Sequence, residues 1–167
     1  MKTETFLFAD DGDIPNNRYP LIVYAGAIDV NIGDPAVAFE NLFRNNGWGK
    51  GWRNSIFPFH HYHSNTHEAL GIAAGEVTVR MGGESGGATF VAHAGDALLV
   101  PAGVGHKRLS PSDGLLVIGA YPPGPSADLY REGAEDKARI RARIAAVVFP
   151  PTDPIGGKDG AVMKLWK

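Results

Sequence analysis

His60-His61-Tyr62-His63-Ser64-Asn65-Thr66-His67-Glu68 gathers four of the chain's six histidines into eight residues and closes on a carboxylate. Neutral imidazole is the commonest protein ligand for metals, and a following carboxylate completes a mixed nitrogen and oxygen donor set. In an extended strand side chains alternate, so His61 and His63 share one face while His60 and Tyr62 take the other. Glu68 is out of useful reach on the same straight strand. A turn at Ser64-Asn65-Thr66 folds the chain back and returns Glu68 beside the pair. Beyond that turn Glu68, Leu70 and Ile72 share a face, and His67 points away. The spacing proposes His61, His63 and Glu68 as ligands and places His60 and His67 at the surface or an interface.

Working outward, the pattern is strand, turn, strand. Glu76-Val77-Thr78-Val79-Arg80-Met81 alternates cleanly, and Gly82-Gly83 and Gly86-Gly87 flank the loop that follows. Thr89 to Ala92, Ala97 to Val100, His106 to Leu109 and Leu115 to Tyr121 read as further short strands. Short strands at regular spacing with Gly or Pro turns argue for an all-β barrel or sandwich. Upstream, Phe6-Leu7-Phe8 and Leu21-Ile22-Val23-Tyr24 are β-prone. Asp34-Pro35 opens a helix, with Asp34 as cap, Ala36, Phe39, Leu42 and Phe43 as packing stripe and Asn45-Asn46-Gly47 as its end. A second helix is expected at about Ala134 to Ala146, with Ala138, Ile140 and Ile144 among charges. Its Lys137, Arg139, Arg141 and Arg143 read as a solvated face offset by Glu132, Glu135 and Asp136 rather than a nucleic-acid patch. The tail from Pro150 to Lys167 drapes over the barrel, anchored by Val162, Leu165 and Trp166.

Bulk properties narrow the class. A chain of 167 residues, 44% hydrophobic and 20% charged, suits one globular domain with a real core. The domain is read as residues 1–167: a barrel core of about 52–121, N-terminal strands and helix over 1–51, and a C-terminal helix and tail over 122–167. A net charge of −2 gives no electrostatic argument for nucleic acid or a membrane surface. The absence of cysteine excludes disulfides and thiolate metal sites and fits a reducing, cytoplasmic setting. The start, MKTETFLFADDGD, is too acidic for a signal peptide, and no apolar run reaches the ~18 residues of a membrane helix.

A barrel site draws ligands from more than one strand. In Gly95-Asp96-Ala97-Leu98-Leu99-Val100-Pro101-Ala102-Gly103-Val104-Gly105-His106 a buried strand lies between two turns, and His106 opens the next strand. Three histidines and one glutamate leave room for water or substrate on a six-coordinate ion. His61, His63, Glu68 and Gly75 fit the cupin motif HxHx4Ex6G, and Gly95, Pro101, Gly103 and His106 fit its second motif, Gx5PxGx2H. The chain resembles the cupins. It is more narrowly similar to single-domain bacterial cupins of the YjlB type, through Trp52-Arg53-Asn54, His60 to Ser64, Gly103 to His106 and Gly119 to Gly124. The motifs span 61–106, and the narrower likeness runs from about residue 15 to the C-terminus.

The resemblance implies a double-stranded β-helix, with one N-terminal and one C-terminal helix, holding one divalent transition metal ion (iron, manganese, nickel or zinc). Its ligand roles carry over onto His61, His63, Glu68 and His106. Two flanking positions depart from the pattern: Ser55 stands where the first motif has Gly, and Ser110 where the second has Asn. Strand parity adds Phe57 and Phe59, on the side of His61, and Arg108, on the side of His106, as candidate pocket residues for an anionic or apolar small molecule. Their bland readings are core packing for the aromatics and a structural ion pair for the arginine. His93 falls in an exposed turn.

Fold does not name a reaction. The expected function is a metal-dependent enzyme acting on a small organic molecule, of the dioxygenase, isomerase or decarboxylase kind. The alternative is a non-catalytic cupin module that binds a small ligand or a metal. Unpaired sheet edges suggest a homodimer.

Overall fold

The turns leave a chain of short strands, each able to bury one face or both. The computed structural model describes residues 1–167. In order the elements are β1 (Lys2–Phe6), β2 (Leu21–Ala25), α1 (Pro35–Asn45), β3 (Gly49–Asn54), β4 (His61–Tyr62), β5 (Glu68–Ala74), β6 (Glu76–Met81), β7 (Ala88–His93), β8 (Ala97–Val100), β9 (His106–Pro111), β10 (Leu116–Tyr121), β11 (Tyr130–Arg131), α2 (Lys137–Ala145) and α3 (Val162–Leu165). They form two antiparallel sheets, one ordered β1-β2-β8-β5-β10-β3 and the other β11-β4-β9-β6-β7. This is the all-β barrel expected. The N-terminal strands extend the first sheet, because β2 pairs with β8 through Ile22↔Leu99 and Val23↔Leu98.

The two sheets share an apolar interior. Leu70, Ile72, Leu98, Val100 and Val117 of the first sheet meet Val77, Val79, Met81 and Ala92 of the second. The first sheet is buried on its outer side too, where Ala69, Ala97, Leu99, Ile118 and Ala120 pack against Phe39, Phe43, Trp48, Val162 and Trp166. Burial on both faces explains why Ala97-Leu98-Leu99-Val100 is an unbroken apolar run rather than an alternating one. The missing side chain of Gly71 on β5 makes the seat for Phe39, since a Cβ there would stand 2.5 Å from the ring.

α1 forms as its sequence dictates. Asp34 Oδ1 accepts from the amides of Ala36 at 2.9 Å and Val37 at 3.3 Å, Pro35 fits the first turn, and Gly47 takes the left-handed conformation after the last. α2 starts at Lys137, three residues later than expected, because Asp136 caps it through the Arg139 amide. It buries Ile140 and Ile144 against Ile14, Tyr62 and Ala102, while Ala138 is exposed. Its basic residues find distant partners rather than the neighbouring acids. Arg141 pairs with Asp10 through two hydrogen bonds, Arg143 with Asp128 at 3.0 Å and Lys137 with Asp13 at 3.6 Å.

The tail does cover the barrel, but Val162 and Trp166 are its buried anchors and Leu165 faces solvent. The extra one-turn helix α3 lets this happen by turning those two residues inward together. A buried carboxylate fixes the tail. Asp153 accepts from the Tyr24 hydroxyl at 2.6 Å and from the amides of Val162, Ile155 and Gly156 at 2.8–2.9 Å. Asp153→Ala strands one hydroxyl and three amides, so we expect a loss of about 3 kcal/mol, read as a lower urea midpoint. A midpoint equal to that of the parent chain would show that the tail does not depend on this carboxylate.

Candidate metal centre

Strand pairing brings the motif residues together. His61 on β4 pairs directly with His106 on β9, which in turn pairs with Met81 on β6. Directly opposed residues point to the same face, and the two imidazoles lie 3.9 Å apart between ring centres. His63 falls just past the two-residue strand β4, at the bend of Ser64 and Asn65. That bend does not make a hairpin. It carries the chain from the second sheet to the first, so Glu68 reaches the histidines from the opposite wall of the barrel.

One atom of Glu68 is the focus. Its Oε2 lies 3.2 Å from His63 Nε2 and 3.2 Å from His106 Nε2. Ligand atoms of His63, Glu68 and His106 all stand within 4.8 Å of one another. His61 lies outside that set but lines the same cavity. All four residues are at least nine-tenths buried.

The other nitrogen of each ring is already committed. His61 Nδ1 faces the Phe59 carbonyl at 3.1 Å, His106 Nδ1 the Val104 carbonyl at 3.0 Å, and His63 Nδ1 the Asp128 carbonyl. A carbonyl can only accept, so each Nδ1 carries the proton and each Nε2 is left to turn inward. Metal-bound histidines are oriented by this arrangement. His106 Nε2 is buried and makes no well-directed hydrogen bond, despite its approach to Glu68. A lone pair aimed at a carboxylate oxygen calls for a cation between them. The donor set therefore fits a divalent transition metal.

Charge is tuned accordingly. Burial, with the neighbouring His106, pushes the His61 pKa down to about 3. Burial also works against a charged His63, but the hydrogen bond and charge of Glu68 outweigh it and raise its pKa. For Glu68 burial acts upward, yet the imidazoles of His106 and His63 beside it prevail and hold the carboxyl well below its ordinary range.

Other residues complete the site. Tyr121 donates its hydroxyl to Glu68 Oε1 at 2.8 Å and accepts from Trp52 Nε1 at 2.9 Å. Trp52 reaches it by lying flat over Gly119, where a Cβ would collide with the indole at 2.0 Å. The Tyr121 pKa is pushed up by burial and by Glu68, so its proton stays in place. Asp128 ties down the bend by accepting from the Ser64 amide and hydroxyl, while its own amide donates to Asn65 Oδ1. Ser55, at the motif's glycine position, lines the cavity with a buried hydroxyl that has no partner. The alternation Val117, Gly119, Tyr121 offered a sign that Tyr121 faces inward; nothing in the sequence links Asp128 to His63.

The cavity, of about 240 Å3, takes in Trp52, Asn54, Ile56, Phe57 and Leu70 beside the donors. Phe59 and Arg108 are not in its wall. Phe59 stacks on Phe57 and lies beneath the Arg131 guanidinium at 3.8 Å. Arg108 donates its backbone amide to the Phe57 carbonyl, and its Nε is buried without a partner. His93 is exposed. His60 and His67 are not surface residues: both are 1% exposed, His60 held between Glu84 and the Glu132 backbone and His67 beneath Trp166 of the tail. His60 Nε2 lies 3.0 Å from Glu84, and His67 Nδ1 accepts from the Ala102 amide at 3.0 Å. Burial lowers the His67 pKa to about 4, partly offset by the Val148 carbonyl.

A cupin domain model matches residues 54–118, the stretch that carries all four donors. An uncharacterised protein, YjlB of Bacillus subtilis (strain 168), is 40% identical over 166 residues, covering 99% of this chain and 97% of that one. The chain is a cupin of the YjlB type. Among solved structures this cupin is similar to WlaRB, a TDP-quinovose 3,4-ketoisomerase from Campylobacter jejuni, with 12% identity and a TM-score of 0.44 over 84% of this chain and 98% of that one. It is also similar to procruciferin, an 11S globulin from Brassica napus, with 17% identity and a TM-score of 0.40 over 48% of this chain. This cupin spans 21% of that globulin's length. No helix is long and apolar enough to cross a membrane.

Loading the site has a definite proton balance. The raised pKa of His63 means that its imidazolium persists above the ordinary histidine range, and an ion must displace that proton. Metal affinity therefore climbs as pH rises through the His63 value and flattens beyond it. Calorimetry at one pH in two buffers of different ionisation heat should show about one proton released per ion on the acid side of that value, and fewer on the alkaline side. Identical heats in both buffers across the whole range would count against His63 as a ligand.

Proposed function

We propose that this cupin is a metal-dependent enzyme acting on a small organic molecule, with one divalent ion held by His61, His63, Glu68 and His106. The observation that carries the reading is the set of three imidazoles whose Nδ1 protons go to backbone carbonyls while a buried carboxylate faces two of their Nε2 atoms. An ion bound there would supply Lewis acidity, and iron would add the redox capacity that oxygen chemistry needs. Dioxygenase, isomerase and decarboxylase reactions all fall within that capacity.

The chain's own residues restrict what enters. The cavity is smaller than the ~300 Å3 at which ordinary ligand sites begin, so the substrate is compact. No lysine or arginine lines it, so an anionic group of the substrate would depend on the ion for its countercharge. Ser55 and Asn54 offer hydrogen bonds to an oxygen-bearing molecule, while Ile56, Phe57 and Leu70 exclude water from its other side. Tyr121 keeps its proton and orients Glu68, which suits it to holding a ligand in place rather than to removing a proton.

Elemental analysis after reconstitution with iron, manganese, nickel or zinc tests the site. The parent protein and His93→Ala should each hold about one ion per chain, and His61→Ala and His106→Ala should lose binding by about tenfold or more. Less than about a tenth of an ion in the parent with every metal would end the metal reading. Metal-loaded and metal-free protein offered compact hydroxy and keto acids should then differ in turnover; equal inertness of both forms would favour a binding module. We also propose that the chain is a cytoplasmic homodimer, since β1 and β3 are sheet edges in need of cover. Light scattering at micromolar concentration should give twice the mass of one chain, and a monomer mass would reject it.

A further inference from the structure

A second, larger cavity lies between the N-terminal segment and the end of α2. Its volume is about 730 Å3, and it is open to solvent on one side. Phe8 and Pro15 from the N-terminal segment form one part of its wall, and Ile144 of α2 with Val147 just beyond it forms another. His67 lines it, almost wholly buried, with its ring centre 4.8 Å from that of the Trp166 indole and the two planes inclined at 58°. Because His67 Nδ1 accepts from the Ala102 amide, its proton sits on Nε2. That N–H has no hydrogen-bond partner; the Val148 carbonyl approaches it without bonding geometry. A buried donor whose one neighbouring acceptor is out of line is poorly satisfied, and native interiors rarely leave one so.

The rim is cationic. Arg141 and Asp10 neutralise each other in a two-pronged ion pair. Arg18 has no acidic partner; its guanidinium stacks on the Tyr19 ring at 4.8 Å and reaches the Tyr19 hydroxyl. The nearby amides are spent, since Asn16 donates to the Ala9 and Gly82 carbonyls and Asn17 to the Ala102 carbonyl. What remains is one buried neutral donor, one unpaired cation and an apolar wall. We propose that this cavity binds a small amphiphilic organic acid, whose oxygen accepts from His67 Nε2 near Arg18 while its hydrocarbon part packs against Ile144 and Val147. The site is independent of the metal centre, so its test does not rest on the enzyme reading.

Octanoate is a suitable probe, followed by two-dimensional NMR of the full chain. The Ala102 amide and the Trp166 indole N–H should shift saturably, because one bonds His67 and the other lies against it. His67→Phe removes the donor and should weaken octanoate by about fivefold or more, with metal content unchanged. Ala145→Trp, at an exposed position in the cavity wall, should fill the space and abolish the shifts even if His67→Phe folds poorly. No saturable shift, or undiminished affinity in both variants, would overturn the proposal. So would shifts that follow protein concentration instead of octanoate, which would mean that a second copy of the chain covers the cavity.

Discussion

Glu68 is a carboxylate taken out of water and held in the middle of a β-barrel, and much of the molecule can be understood as making that tolerable. Moving an ion of this kind into an apolar interior costs several kcal/mol unless partners replace the lost water. Here the replacements come from far apart in the chain: His63 from the bend, His106 from the second motif, and Tyr121 from the end of β10. Each partner is itself held, His63 and His106 by backbone carbonyls and Tyr121 by Trp52. An arrangement buttressed in this way is rigid at the donor atoms, which is what a site of fixed geometry requires.

That rigidity depends on layers that contribute no chemistry. β5 and β10, which carry Glu68 and Tyr121, belong to a sheet covered on both faces. α1 seats Phe39 on Gly71, and the tail brings Trp166 over His67. Asp153 locks the tail to Tyr24 of β2, which pairs with β8, which pairs with β5. The N- and C-terminal segments thus serve as the outer wall of the strands that bear the donors.

The sequence was legible where the determining interactions are local or follow from strand parity. The cap at Asp34 and the alternation of β6 follow from turn chemistry and spacing, whereas His106 was joined to His61 by the second motif and only the strand pairing sets the two side by side. The inward face of Glu68 was read correctly although the route was different, since the bend changes sheets rather than forming a hairpin. What escaped was set by contacts across long separations. Parity puts His60 and His67 at the surface or an interface because it gives the face but not what covers it, and the covers are Glu84 with the Glu132 backbone for one and Trp166 of the tail for the other. Leu165 was read as an anchor, but the turn of α3 directs Val162 and Trp166 inward and leaves it outside. Asp128 is 65 residues from His63 and belongs to no motif, so only folding brings its carbonyl to the imidazole.

His61 and His106 belong to one sheet and Glu68 to the other, with nothing but side chains spanning the gap between them. The distance from imidazole to carboxylate is therefore a gauge of how the two sheets sit on each other. Interior residues such as Val79 and Leu98, packed in the core that the two sheets share, stand as spacers in this gauge. Trimming or enlarging them would change the bite of the site and hence its preference among ions of different radius. If the site holds an ion as proposed, selectivity would be distributed through the packing of the barrel as well as written in the residues that line its cavity.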